Sequence, residues 1–287
     1  MNPYQNALTA AVCAAVDAGK AILKMYDQPV RVQYKGDRSP VTEADRAAHA
    51  IIENKLRKET PDFPILSEEG GVIPYEERCQ WKCFWLVDPL DGTKEFIRRN
   101  GEFTVNIALI EKGNPLMGVI YLPCLDQLYF GLERTGAFKI ENCHLLNPNR
   151  SFTTLLNVAQ QLPLPGDSSA NTIRVVGSRS HGSKEFDQYV DFLQSAYESV
   201  EITPAGSSLK FCLVAEGSAD IYPRFGPTME WDTAAGHLLV ELSGGRVVAF
   251  RSDDPLEYNK TKLTNPSFCC FGNQHEPVIP WRIDAYE

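Results

Sequence analysis

The sequence predicts a mixed α/β protein, with helices and an antiparallel sheet in its first half and an alternating α/β layer in its second. Three observations carry this. Between Phe103 and Ile140 the segments FTVNIALI, PLMGVIYL, QLYFGL and AFKI are separated by the turn-forming KGNP, PCLD and ERTG, which is the pattern of a meander. Ahead of it, apolar residues recur twice at helical spacing. Beyond residue 170, strand-like and helix-like segments alternate.

Taken in order, Asn2 and Pro3 make a helix start, and Leu8, Ala11, Val12, Ala15, Val16, Ile22 and Leu23 continue the period toward Pro29. Val30 to Lys35 alternates and reads as a half-buried strand, followed by a loop over Gly36 to Pro40. Thr42 and Asp45 resemble a capping pair, with Asp in place of the usual Glu or Gln. A helix with Ala44, Ala47, Ala48, Ile51, Ile52 and Leu56 on one face follows, ending before Pro61. Ile65-Leu66 and Phe84 to Val87 are short apolar strands that run into acidic residues. Residues 145–170 are rich in Asn, Pro, Ser and Gly, and a boundary is expected there. That gives one unit over 1–150 with most candidate metal ligands and a second over 151–287. In the second, strands are expected at TIRVVGS, VEITP, ADIYPR and RVVAF. Helices are expected over Lys184–Ser199, Ser208–Glu216 and Asp232–Leu242.

A chain of 287 residues can bury roughly three quarters of its unfolded surface without staples. Its net charge of -9 makes a nucleic-acid polymer a poor partner, yet a small anion fits if bound cations reverse the local field. The eight cysteines include no C-x-x-C, and MNPYQNALTA has neither the basic nor the apolar part of a signal peptide. With no run of about 18 apolar residues, no membrane span is expected, and a cytoplasmic location is the default.

The chemistry lies in four acidic clusters at element ends. Asp45 opens a helix, Glu68 and Glu69 follow one strand, Asp88 and Asp91 follow another, and Asp232 opens a later helix. Singly, each is more plainly a cap or a solvated turn. Together, carboxylates at the mouths of apolar strands repel unless hard divalent cations neutralise them, as in a two-metal hydrolytic site. The i, i+3 spacing of Asp88 and Asp91 calls for a turn and argues against a phospho-aspartate nucleophile, which uses two Asp one residue apart. No G-x-x-x-x-G-K-[ST] loop or G-x-S-x-G elbow is present.

Leu66-Ser-Glu-Glu69, Trp85-Leu-Val-Asp-Pro-Leu-Asp-Gly-Thr93 and Glu230-Trp-Asp-Thr-Ala-Ala-Gly236 resemble the motifs of the inositol monophosphatase superfamily of Mg²⁺-dependent, lithium-sensitive phosphatases. Lys94-Glu-Phe96, Ser178-Arg-Ser-His181, Gly206-Ser-Ser-Leu-Lys-Phe-Cys212 and Tyr222-Pro-Arg224 resemble the bacterial 3'(2'),5'-bisphosphate nucleotidases within it. The resemblance implies a layered αβαβα sandwich and removal of the 3'-phosphate of adenosine 3',5'-bisphosphate, and of its sulfated analogue, during sulfate assimilation. It implies one Mg²⁺ on Glu68, Asp88 and the Leu90 carbonyl, a second on Asp88, Asp91 and Asp232, and a weaker third near Glu68. It gives Asp45 and Thr93 the attacking water, with Glu68 a further candidate. The amides of Gly92 and Thr93, beside Asp91, are given the phosphate. His181, Ser207, Ser208, Lys210 and Arg224 are expected at the nucleotide; the plainer readings are a surface turn for His181 and a helix cap for Ser208. Relatives of this type also allow peripheral association with the inner membrane. The competing readings are an inositol or sugar-phosphate phosphatase on the same metals, and a catalytically silent sensor. The oligomeric state is not legible.

Overall fold

The computed structural model describes residues 3–28, 32–34, 40–146, 151–165, 171–178, 183–250 and 252–273. Its helices are α1 (Pro3–Tyr26), α2 (Glu43–Glu59), α3 (Tyr75–Arg78), α4 (Thr93–Arg98), α5 (Phe152–Val158), α6 (Lys184–Ala196), α7 (Leu209–Glu216) and α8 (Glu230–Leu242). Strands β1 (Val32–Tyr34) and β2 (Pro40–Thr42) pair antiparallel.

A seven-stranded sheet is ordered β3 (Ile65–Ser67), β4 (Cys83–Asp91), β5 (Thr104–Glu111), β6 (Asn114–Leu122), β7 (Gln127–Leu132), β8 (Gly136–Glu141) and β9 (Gln160–Gln161). It is antiparallel except between β3 and β4. A second sheet comprises β10 (Thr172–Ser178), β11 (Ser199–Ala205), β12 (Ile221–Arg224), β13 (Arg246–Ala249) and β14 (Phe268–Phe271), in the order β11-β10-β12-β14-β13.

Side-chain alternation explains the layers. Trp85, Val87, Val105, Ile107, Val119 and Phe130 face α1 and α2 in one core. The residues between them, Phe84, Leu86, Ala108, Ile110, Ile120 and Tyr129, face α7, α8 and the second sheet in another. A third core, with Val175, Tyr189, Leu193 and Phe271, lies between that sheet and α6. The first sheet is thus covered on both faces, so its strands read as nearly continuous apolar runs. The layers are helix, sheet, helix, sheet, helix: the expected αβαβα sandwich.

Several boundaries differ from expectation. The strand over Phe84–Val87 extends to Asp91, because its partner β5 continues alongside it. Pro40 belongs to a strand and not to a loop, and Ser199 opens β11 instead of closing a helix. β9 pairs with β8, so the first sheet runs past the division expected at residue 150. α1 is long and apolar enough to span a membrane by composition, contrary to expectation, but 61% of the apolar window is buried within the protein. Its apolarity is accounted for by packing on α2 and the sheet. Asn2, Val30, Arg31 and Lys35 lie outside the described residues.

Candidate active site

The acidic residues converge because of one extra residue in β4. Asp88 pairs with Asn106 and Asp91 with Thr104, so three steps on β4 match two on β5. This bulge, with Pro89 inside it, turns Asp91 back to the face that Asp88 occupies. The i, i+3 spacing is therefore served by a bulge within a strand, and not by the turn expected from sequence. Glu68 lies one step beyond β3, and its amide donates to the Val87 carbonyl at 3.1 Å, which sets it beside Asp88. Asp232 enters from the middle layer as the third residue of α8, where its Oδ2 accepts the Met229 amide at 2.9 Å.

These groups line a cleft of about 360 Å³ together with Leu90, Gly92, Thr93, Ser207, Ser208, Lys210 and Arg224. Burial first, and then the charges of Glu68, Asp91 and Asp232, push the Asp88 carboxyl well above the usual carboxylate range. Burial and then Asp91 do the same to Asp232. Carboxylates held apart from water and beside one another call for a cation, and an all-oxygen donor set suits a hard one. Among the described residues no three His, Cys, Asp or Glu side chains are drawn together closely enough to hold a metal ion by themselves. Mg²⁺ does not need one, since it keeps waters and shares phosphate oxygens.

Asp45 lies beneath the cleft. Its Oδ2 accepts the Thr42 amide at 2.7 Å and the Thr42 hydroxyl at 2.6 Å, closing the cap of α2. Its Oδ1 accepts the Thr93 hydroxyl at 3.1 Å. Burial raises its pKa, partly offset by the Thr42 hydrogen bonds.

The sequence profile of the inositol monophosphatase family matches residues 4–278. The chain belongs to the inositol monophosphatase family. Members of this family are Mg²⁺-dependent. It is 47% identical over 257 residues to the 3'(2'),5'-bisphosphate nucleotidase CysQ of Escherichia coli (strain K12), covering 88% of this chain and 95% of that one. To the CysQ of Haemophilus influenzae it is 34% identical, over 97% of this chain and 96% of the other. The crystal structure of CysQ from Bacteroides thetaiotaomicron superposes with a TM-score of 0.85 at 45% identity, covering 95% and 99% of the two chains. An IMPase of Thermotoga maritima, 22% identical with a TM-score of 0.72, shares the fold.

Within the cleft, the structure brings together Glu68, Asp88, Leu90, Asp91, Gly92, Thr93 and Asp232, with Asp45 behind Thr93. Gly92 has φ +90 and precedes α4. Arg224 lines the cleft; its Nη2 donates to the Pro227 carbonyl at 3.2 Å, while its buried Nε has no partner among the described residues. The Ser207 hydroxyl is likewise buried, at the cleft, and without a partner among the described residues.

Two expected nucleotide contacts, Ser208 and Lys210, line the cleft and also have protein partners. The Ser208 hydroxyl donates to Asp91 Oδ2 at 2.7 Å or to the backbone carbonyl of Asp232 at 2.8 Å, so it braces one carboxylate against the start of α8. The Lys210 ammonium donates to the Ser207 carbonyl at 2.6 Å and the Ala205 carbonyl at 3.4 Å. It props the turn that carries Ser207. His181 lies outside the described residues. Sequence reasoning missed Asn106 and Thr104, which approach Asp91 Oδ2 at 3.3 and 3.4 Å. Two successive polar residues on one face of an otherwise apolar strand were the available signal.

Proposed function

We propose that this chain is a Mg²⁺-dependent 3'(2'),5'-bisphosphate nucleotidase. It removes the 3'-phosphate of adenosine 3',5'-bisphosphate to give AMP and phosphate, and acts on 3'-phosphoadenylyl sulfate in the same way. The observation that carries this reading is one cleft that joins the Glu68, Asp88, Asp91 and Asp232 carboxylates to the underused guanidinium of Arg224.

Glu68, Asp88 and the Leu90 carbonyl would hold one Mg²⁺, and Asp88, Asp91 and Asp232 a second; a third, weaker one belongs near Glu68. When bound, the ions neutralise charge on the phosphate and acidify the attacking water. The protein's own groups then move one proton. Thr93 accepts it from the water at Oγ while passing its own to Asp45 Oδ1, 3.1 Å away. Burial of Asp45 favours that transfer, since it favours the protonated carboxyl. The amides of Gly92 and Thr93, where α4 leaves its first N–H groups without helical partners, cradle the phosphate. Eight cysteines with no disulfide among them suit a reducing cytoplasm.

Arg224 discriminates the substrate, by holding the 5'-phosphate. A hydrogen bond to a charged group contributes about 1.5–3 kcal/mol, or roughly ten- to a hundredfold in binding. Arg224→Ala is therefore expected to raise KM for adenosine 3',5'-bisphosphate by that factor and to leave adenosine 3'-monophosphate almost unchanged. Equal losses on both, or faster turnover of inositol 1-phosphate by the parent enzyme, would refute the nucleotidase reading.

A further inference from the structure

Of the three carboxylates attributed to the second cation, those of Asp88 and Asp91 come from β4 and that of Asp232 from α8, in a different layer. One hydroxyl stands between the Asp91 carboxylate and the backbone of Asp232. Ser208 Oγ is 2.7 Å from Asp91 Oδ2 and 2.8 Å from the Asp232 carbonyl. It also accepts Asn106 Nδ2 at 2.9 Å, and that same amide nitrogen lies 3.3 Å from Asp91 Oδ2. Ser208 and Asn106 are both buried, at 2% and 1% exposure, so water does not substitute for either.

We infer that Asn106 and Ser208 form a positioning pair that fixes Asp91 relative to Asp232, and so sets the affinity of the second Mg²⁺ position. This inference rests on the metal assignment proposed above. A serine hydroxyl has one proton, so Asp91 and the Asp232 carbonyl compete for it. With Asp91 free, the carboxylate is the stronger acceptor; with Asp91 engaged by a cation, the hydroxyl turns to the carbonyl. In either state its lone pair is held by Asn106, and the hydroxyl is never left unsatisfied. The orientation of Asn106 supports this. Its Oδ1 is buried and has no partner among the described residues, a cost accepted because the opposite orientation would set that oxygen against Asp91. Groups that orient metal ligands in this way change metal affinity by about 10- to 100-fold when removed.

The pair also ties the substrate side to the metal side. Ser208 follows Ser207, whose hydroxyl faces the cleft from a backbone at φ +43. The turn that meets the nucleotide is therefore the turn that braces Asp91.

The test is thermal unfolding against Mg²⁺ concentration, with the metal alone as probe and no turnover required. In the parent, Mg²⁺ is expected to raise Tm once its concentration passes the apparent Kd, the midpoint of Mg²⁺ binding; no rise would refute the metal assignment itself. Given that rise, Ser208→Ala is expected to move that midpoint to about 10-fold higher Mg²⁺ or beyond, and Ser208→Thr to restore it to within a few-fold. Asn106→Ala is expected to shift it in the same direction. If Ser208→Ala gives no cooperative transition without metal, the Asn106→Ala titration decides. Ser207→Ala, next in the chain, is expected to raise KM without moving the midpoint. A parent-like midpoint in Ser208→Ala or in a folded Asn106→Ala would overturn the inference while leaving the metal site standing.

Discussion

Lys210 shows how burial changes what a residue does. Its type suits a phosphate and it lines the cleft, but its largely buried ammonium bonds the carbonyls of Ala205 and Ser207. Desolvation presses its pKa from 10.5 down to about 8, and the charge of Asp91 offsets this only in part. The unfolded chain holds that proton more tightly, so folding carries a cost below about pH 8 that is relieved as pH climbs toward 10.5. The shift corresponds to at most about 3 kcal/mol. Lys210→Met is therefore expected to resist urea better than the parent at pH 7, with the gap closing by pH 10, and to lose nucleotide affinity as the turn relaxes. A gap that stays constant over that range would mean that the lysine is not desolvated. At this scale the sequence was legible in which residues come together: Glu68, Asp88, Asp91, Thr93 and Asp232 share one cleft, with Asp45 bonded to Thr93. Less legible were the protein partners of Ser208 and Lys210. Each has the chemistry of a ligand contact and lines the cleft, and only the structure shows that each also bonds neighbouring protein groups.

β4 is the element on which the site depends. Its apolar stretch, held on both faces, carries Asp88 into the cleft, and the bulge at Pro89 returns Asp91 to the same face. Gly92 then turns the chain into α4 at φ +90. A Cβ there would lie 3.2 Å from Ser207 Cβ and 3.3 Å from the Glu102 carbonyl, in addition to the left-handed strain. Gly92→Ala is expected to cost about 1–2 kcal/mol from the backbone alone. It should also lower kcat, because Asp91 and Thr93 flank the shifted peptide. Parent-like turnover in Gly92→Ala would show that the site tolerates movement of α4. The meander and the long helices were readable, since their periods are sustained over many residues. β14, the run Phe-Cys-Cys-Phe, was not, because four apolar residues without alternation carry no period. α4 is equally silent at six residues, and the bulge cannot be seen in β4 without its partner β5.

Across the whole molecule, the αβαβα layering puts the cleft where the first sheet, α8 and the turn after β11 meet, so the site draws on both halves of the chain. That arrangement followed from the resemblance and from the order of the motifs. The pairing of β3 with β4 and the reach of β9 across the expected division depend on long-range contacts that one sequence does not display. A protein with a net charge of -9 that presents four carboxylates to a doubly phosphorylated substrate repels its scissile phosphate unless metal cations intervene. The most direct measurement is product identification from adenosine 3',5'-bisphosphate, by chromatography with phosphate release followed in parallel, in Mg²⁺ and in excess chelator. AMP and phosphate are expected in equal amounts with Mg²⁺, with no turnover in chelator. Adenosine 3'-monophosphate as the product, or undiminished AMP formation in chelator, would refute a metal-dependent 3'-phosphatase.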